Sequence, residues 1–247
     1  MGSFFLPLLW LCCQPVQPVE TGGGHSYLHL AAYSLEAEAK DPAEPYRPQP
    51  GDIFLATDAA RWVRIGHSLA GSAGVHHSGI MFLRADGRPA LLEAGPFHRF
   101  HVEASDPVEQ MQKYEACGDR VWIRRRAQPL TAEQSARLTA FAEGQVGKWF
   151  AFLRVAGQLT PFRSRGVLRT WWVGKPHKER SSYFCSELVL ESCIAAGLVD
   201  EAEARPAATY PRDLFFGQSP IPYLDSHLHM EPGWHPPARW TAEAAEP

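Results

Sequence analysis

At 247 residues the chain is long enough for one good-sized domain with a substantial core, with or without extensions. Apolar residues make up 45% and charged residues 21%, ordinary proportions for a soluble globular protein. Basic and acidic residues nearly balance, 24 against 27, so nothing in the net charge argues for nucleic acid or an anionic membrane as partner. Lys and Arg do gather at 120–126 and 163–180, and both runs read as solvated faces or loops.

In chain order, residues 4–13 form an apolar run of signal-peptide length, too short to span a bilayer. No Lys or Arg precedes it and no clean small-x-small site follows. Export to the cell envelope or periplasm is the expectation, with a cytoplasmic location as the alternative. No later segment qualifies as an integral membrane span. Residues 14–24 read as linker, and 27–40 as a short helix before a Pro-rich stretch at 41–50. The first 50 residues are thus an N-terminal apolar segment and linker. The domain proper is expected over 51–216, and the Pro-rich tail 217–247 as loop and disorder.

Within the domain, Ile53-Phe54-Leu55-Ala56 reads as a buried strand and 61–69 as a helix. Residues 76–83 and 90–94 read as two strands of a hairpin turning near Ala85-Asp86-Gly87, and Val121-Trp122-Ile123-Arg124 as another strand. Thr131 with Gln134 makes a capping box for a helix running to about 146, with Leu138, Phe141 and Ala142 on its apolar face. Residues 149–180 are aromatic and basic without a clear period. A helix is expected from Cys185 to 198, stopped near Gly197. Strands and helices do not alternate as βαβ units, which favours an α+β domain with an antiparallel sheet.

Five cysteines are present: Cys12, Cys13, Cys117, Cys185 and Cys193. There is no CxxC pair, so neither a zinc ribbon nor a disulfide framework is indicated. Cys185 and Cys193 are eight apart on one predicted helix, about 12 Å of rise, beyond the roughly 7 Å limit on Cα separation for a disulfide. A free thiol therefore needs an explanation. Cys185 opens its helix, where the dipole favours a thiolate. Ser181 and Ser182 are available to cap and Glu187 suits the first turn. The same residue is equally readable as a small buried hydrophobe.

His77, on the first hairpin strand, is the candidate base. Gly79 would permit close backbone approach. His76 competes with it, but neighbouring strand residues face opposite ways, so only one of the two is expected to point at Cys185. Glu93 is an acid in an apolar strand, where an unpaired carboxylate is expensive; as a third member it would hold the imidazole's other nitrogen. Register tests this. A two-residue turn at Asp86-Gly87 pairs residues whose numbers sum to 173 and sets 77 and 93 on opposite faces. A longer loop centred near Ala85 gives sums of 170 and sets His77 directly opposite Glu93. The catalytic reading expects the longer loop.

Five segments in order carry a resemblance: Gly51-Asp52-Ile53-Phe54, His77-Ser78-Gly79-Ile80, Leu92-Glu93-Ala94, Tyr183-Phe184-Cys185-Ser186-Glu187-Leu188-Val189 and Pro211-Arg212-Asp213-Leu214. The chain resembles the permuted papain-like amidases of the YaeF/YiiX type, a branch of the NlpC-like cysteine peptidase superfamily. The resemblance implies a circularly permuted papain-like fold in which the sheet precedes the nucleophile helix, with Cys185 as nucleophile, His77 as base and Glu93 as orienting acid. It also implies a cysteine hydrolase that cleaves an amide of a cell-wall peptide or small molecule through an acyl-enzyme, with no cofactor and no metal. One departure stands out. The family's Gly-x-x-Tyr-Asp element is met here by Gly147-Lys148-Trp149-Phe150-Ala151, so the substrate-side wall is expected to differ.

Three alternatives remain at this stage. Lecithin–retinol acyltransferase-like relatives share the permuted order and act on lipid esters, and the aromatic residues Trp149, Phe150, Phe152, Phe162, Trp171 and Trp172 would suit an acyl groove. A non-catalytic binding module on the same fold is a second. A metal enzyme is the third, from His98-x-x-His101 and His227-x-His229, although neither pair has the setting of a known metal motif. The expected partner is a small-molecule, peptide or lipid acyl substrate.

Overall fold

A computed structural model describes residues 25–243 apart from positions 37, 41, 59–60, 71, 159, 161–163, 166–169, 171, 173, 178, 220–227 and 229. The apolar run at 4–13, the linker at 14–24, Phe162, Trp171, His227 and His229 lie outside the described residues, as does the side chain of His98.

The strands are β1 (Tyr27–Ala31), β2 (Ala43–Pro45), β3 (Ile53–Ala56), β4 (His77–Leu83), β5 (Pro89–Ala94), β6 (Val102–Ser105), β7 (Val121–Arg124), β8 (Trp149–Phe150), β9 (Ser182–Tyr183) and β10 (Ala238–Thr241). The α-helices are α1 (Arg61–Leu69), α2 (Pro107–Ala116), α3 (Ala132–Gln145), α4 (Phe152–Gly157), α5 (Cys185–Ala195) and α6 (Pro211–Phe216). Eight strands form one sheet in the order β2-β1-β10-β7-β3-β4-β5-β6, antiparallel at every pairing. β8 and β9 form a separate parallel pair. This is a mixed α+β architecture built on a large antiparallel sheet.

Both faces of the sheet are covered, which is why β3 and β5 read as continuous apolar runs rather than alternating ones. Ile53, Leu55, Ile80, Phe82 and Leu92 face α3 and α5, meeting Leu138, Leu188 and Val189. Phe54, Met81, Leu91 and Ile123 face the other way, onto Met111 and Tyr114 of α2. Helix α5 packs chiefly on β4, on the 3-10 turn at Pro206–Ala208 and on α3, with β5 next, and all its residues from Cys185 to Cys193 are buried.

Three expectations need correction. The stretch 27–40 opens as strand β1, not a helix: Leu28 pairs with Trp240 of β10 and with Glu44 of β2. That pairing spans more than two hundred residues and overrides local propensity. Likewise the tail contributes β10, which inserts between β1 and β7. The sheet therefore extends beyond 51–216 on both sides. The hairpin register also differs, with sums of 172: Gly79 pairs with Glu93 and Leu83 with Pro89. Its three-residue loop is closed by Gly87 N–H to the Arg84 carbonyl at 2.9 Å and Arg84 N–H to the Arg88 carbonyl at 2.8 Å. Gly87 takes the left-handed φ of +81° that such a loop requires.

Candidate active site

The register settles which residues share a face. Gly79 and Glu93 are partners across the ladder, and His77 lies two residues from Gly79, hence on the same side. Glu93 thus reaches His77 diagonally. The parity of the expectation holds, but not the direct opposition. Gly79 makes the diagonal feasible: a Cβ there would stand 2.8 Å from the Leu92 carbonyl oxygen and 2.9 Å from Glu93 Cγ.

Glu93 is 1% exposed and every bond it makes is directed. Oε1 meets His77 Nε2 at 3.0 Å and accepts from the Tyr114 hydroxyl at 2.9 Å. Oε2 accepts from Gln110 Nε2 at 2.8 Å. Gln110 and Tyr114 lie four apart on α2, so both project from one helix face. Tyr114 also stacks on the His77 ring at 5.8 Å between centroids, while Phe54 closes its edge at 6.3 Å. Neither α2 residue was anticipated. The signal for their helix was present in Asp106-Pro107: Asp106 Oδ1 accepts from the Val108 and Glu109 N–H groups, both at 3.0 Å, and Pro107 follows at the first helical position.

Cys185 is delivered from the other side. β9 pairs with β8, Phe150 opposite Tyr183, and this fixes the approach to α5. Phe184, in an extended conformation, precedes the helix. Neither Ser181 nor Ser182 caps it. Glu187 does so instead, its Oε2 accepting the Phe184 N–H at 3.4 Å; Ser182 is held in β9 and its carbonyl bonds Arg154. Glu187 is fully buried, and its Oε1 pairs with Arg154 at 2.6 Å and Arg180 at 3.0 Å. Those two guanidiniums offset an anion that would otherwise oppose a thiolate two residues away in the same turn.

The side chains of Cys185 and His77 meet by hydrogen bond and charge. Nε2 of His77 is committed to Glu93, which leaves Nδ1 for the sulfur. Burial disfavours charge on both groups, yet the imidazole, the Ser78 side chain and the Ser186 amide together bring the Cys185 thiol below its ordinary value. For His77 the opposing burial is outweighed by Cys185 and Glu93, which raise it to about 10. A thiolate–imidazolium pair is the form this environment favours.

The pair lies on the wall of a cavity of about 310 Å³. Phe150, Phe152, Val155 and Phe184 supply much of that wall; His67, His76, Arg99, Gln158 and Tyr210 bring polar atoms to it. Phe150 belongs to the Gly147–Ala151 segment. It packs against Gly95, at φ +71°, where a Cβ would come within 2.6 Å of the Phe150 ring. The segment Pro211-Arg212-Asp213-Leu214 starts α6: Asp213 Oδ2 accepts the Tyr210 N–H at 2.8 Å and so holds Tyr210 and Pro211 on the cavity wall. Gly51-Asp52 has a structural part. Asp52 is buried, accepts from Tyr46 Oη at 2.8 Å and the Arg126 N–H at 2.8 Å, and burial raises it to about 6 against those bonds.

Of the aromatic stretch, Phe150 and Phe152 reach the cavity, whereas Trp172 is 80% exposed. His101 packs on Trp149, ring centroids 4.4 Å apart. Among the described residues, no three His, Cys, Asp or Glu side chains gather to hold a metal, and no helix is long and apolar enough to cross a membrane.

No protein-family model matches the chain, and no curated protein matches it either. Among solved structures it is similar to that of the metalloprotein yiiX from Escherichia coli O157:H7, at 21% identity and a TM-score of 0.42, covering 61% of this chain and 67% of that one.

Proposed function

We propose that the chain is a cysteine-nucleophile hydrolase of permuted papain-like type, acting on an amide bond through an acyl-enzyme. One observation carries this reading: Cys185, at a helix N-terminus, interacts with a histidine whose far nitrogen is held by a buried, fully bonded carboxylate. A cysteine kept only for packing needs none of this.

In the proposed cycle the Cys185 thiolate adds to the carbonyl carbon, and the carbonyl π pair moves onto oxygen. The Cys185 backbone N–H and a second donor receive that charge. Collapse breaks the bond to the leaving amine, which takes the proton from His77, giving a thioester and neutral imidazole. Water then adds with His77 as base, and collapse releases the acid and regenerates the thiolate–imidazolium pair. Glu93 keeps the ring oriented throughout.

The substrate is proposed to be a peptide or small amide. A second reading, a lipid esterase or acyltransferase, is favoured by the apolar cavity wall of Phe150, Phe152, Val155 and Phe184. Peptide anilides and medium-chain esters assayed side by side separate the two. The test of the shared claim is Cys185→Ala, which should lose essentially all turnover, on the order of 10⁶-fold for removal of a nucleophile, with an unchanged thermal melt. Surviving turnover would show that another group does the chemistry. A wild-type Cys185 inert to thiol reagents near neutral pH would favour the binding module.

A further inference from the structure

His76 stands one residue before the proposed base and takes no part in the proton transfers above, yet its hydrogen bonding limits what it can offer. Its Nδ1 accepts the Asp58 backbone N–H at 3.0 Å. A ring nitrogen that accepts carries no proton, so the neutral imidazole holds its hydrogen on Nε2. Burial, opposed by Asp58 and helped by Arg64 and Arg120, keeps His76 below the usual histidine range, and protonating Nδ1 would forfeit the Asp58 bond. His76 therefore presents one N–H in one tautomer.

Its ring lines the same cavity as Cys185. His67 and Arg99 bring N–H groups to that wall as well, but neither is fixed in one tautomer by a backbone amide, and the other side-chain donors there, Ser72 apart, are spent elsewhere. Ser186 Oγ donates to the Thr209 carbonyl at 2.7 Å, and the Tyr210 hydroxyl to Gln158 Oε1 at 2.9 Å. Gln158 Nε2 donates to the Arg154 carbonyl at 3.1 Å and to Ser164 Oγ at 2.7 Å. Phe150, on the same wall, has no side-chain donor, and its N–H bonds the Phe100 carbonyl at 2.6 Å. Ser72 Oγ is buried without a partner, but no bond fixes where its proton points. An oxyanion site works through donors already aimed before charge appears, and backbone anchoring gives His76 that property.

We propose that His76 is the second oxyanion donor, its Nε2–H acting with the Cys185 backbone N–H. The role rests on the acyl-enzyme reading above. As the C–S bond forms, the carbonyl oxygen gains the π pair and is held by both N–H groups. As the leaving-group bond breaks, the pair returns, and the His76 proton stays on nitrogen throughout.

Two reactions of the same sulfur separate this role from general support of the site. Acylation by p-nitrophenyl butyrate, followed by the burst of p-nitrophenolate, builds an oxyanion. Alkylation by iodoacetamide displaces iodide and builds none. His76→Ala should slow acylation by about 10²- to 10³-fold, as loss of one such donor does, while alkylation stays within about threefold. His76→Gln, which restores an N–H, should recover part of the acylation rate. If the alanine variant melts early, His76→Phe fills the volume without a donor and carries the same comparison. Acylation within threefold of wild type overturns the proposal, as does a parallel fall in alkylation, which would mean that His76 supports the thiolate instead. Wild type that is alkylated at Cys185 but never acylated overturns the acyl-enzyme reading, and the role of His76 with it.

Discussion

The two ends of helix α5 each carry a cysteine, and the two thiols are both buried and free of disulfide. At the C-terminal end Cys193 sits in the apolar cluster between sheet and α3, where burial pushes its thiol up to about 12 against the charge of Arg126. At the N-terminal end Cys185 suffers the same desolvation but ends up below its ordinary value. Burial therefore does not decide the reactivity of a thiol here. What separates the ends is a partner: an imidazole that Glu93 favours in its charged form, together with the unpaired amides of a helix start. The difference is the physical content of the proposed nucleophile, and it can be broken piece by piece.

Removing the cation should do most to the thiol. His77→Ala leaves Cys185 with burial and the helix terminus, so its alkylation at pH 7 should fall by about 100-fold and its titration midpoint should move above about 9. The stability profile changes with it. A lowered thiol pKa adds stability above the unfolded thiol value of about 8.5 and loses it as pH falls through the folded value. The raised imidazole adds stability below its unfolded value of about 6.5 and loses it as pH climbs through about 10. In thermal melts of wild type and His77→Ala across pH, the share of the difference that the imidazole supplies should therefore fade as pH climbs through about 10.

Glu93→Gln keeps the shape but removes the anion behind the ring, and ester acylation should drop by up to about 10⁴-fold, as an acid-to-amide change behind a triad histidine does, less than for loss of the nucleophile. Gly79→Ala attacks the diagonal instead. Its Cβ meets Leu92 O and Glu93 Cγ below 3 Å, so it should cost about 1–3 kcal/mol in denaturant titration and slow Cys185 alkylation while Cys193 stays inert. Cys193→Ala is the complementary control: about 1–2 kcal/mol of stability from a small core vacancy, with the Cys185 rate unchanged.

Much of the site was legible because its parts carry local signals. β3 and β7, the helices at 61–69 and 132–145, and the helix opened by Cys185 follow from apolar runs, a capping box and Gly197. The two-residue period of a strand reduced the His77–Glu93 relation to a question of register, opposite faces for the two-residue turn and one face for the longer loop, and the observed pairing of Gly79 with Glu93 decides it. Other features depend on partners distant in sequence. β1 is a strand because β10 lies beside it, more than two hundred residues away. The extra step in the hairpin register comes from the turn geometry at Gly87. Gln110 and Tyr114 are ordinary helix residues until α2 docks over β5. The Ser181–Ser182 pair offered two good caps, but an acid three residues into the helix, neutralised by Arg154 and Arg180, took that place.

The most direct test of the account is the pH dependence of iodoacetamide alkylation of the folded wild-type chain, with labelled positions located by peptide mass mapping. The account predicts that Cys185 is modified with a midpoint below the free-thiol value of about 8.5, while Cys193 on the same helix stays unlabelled until the chain is unfolded. A Cys185 that titrates at or above that value, or labels no faster than Cys193, would contradict it.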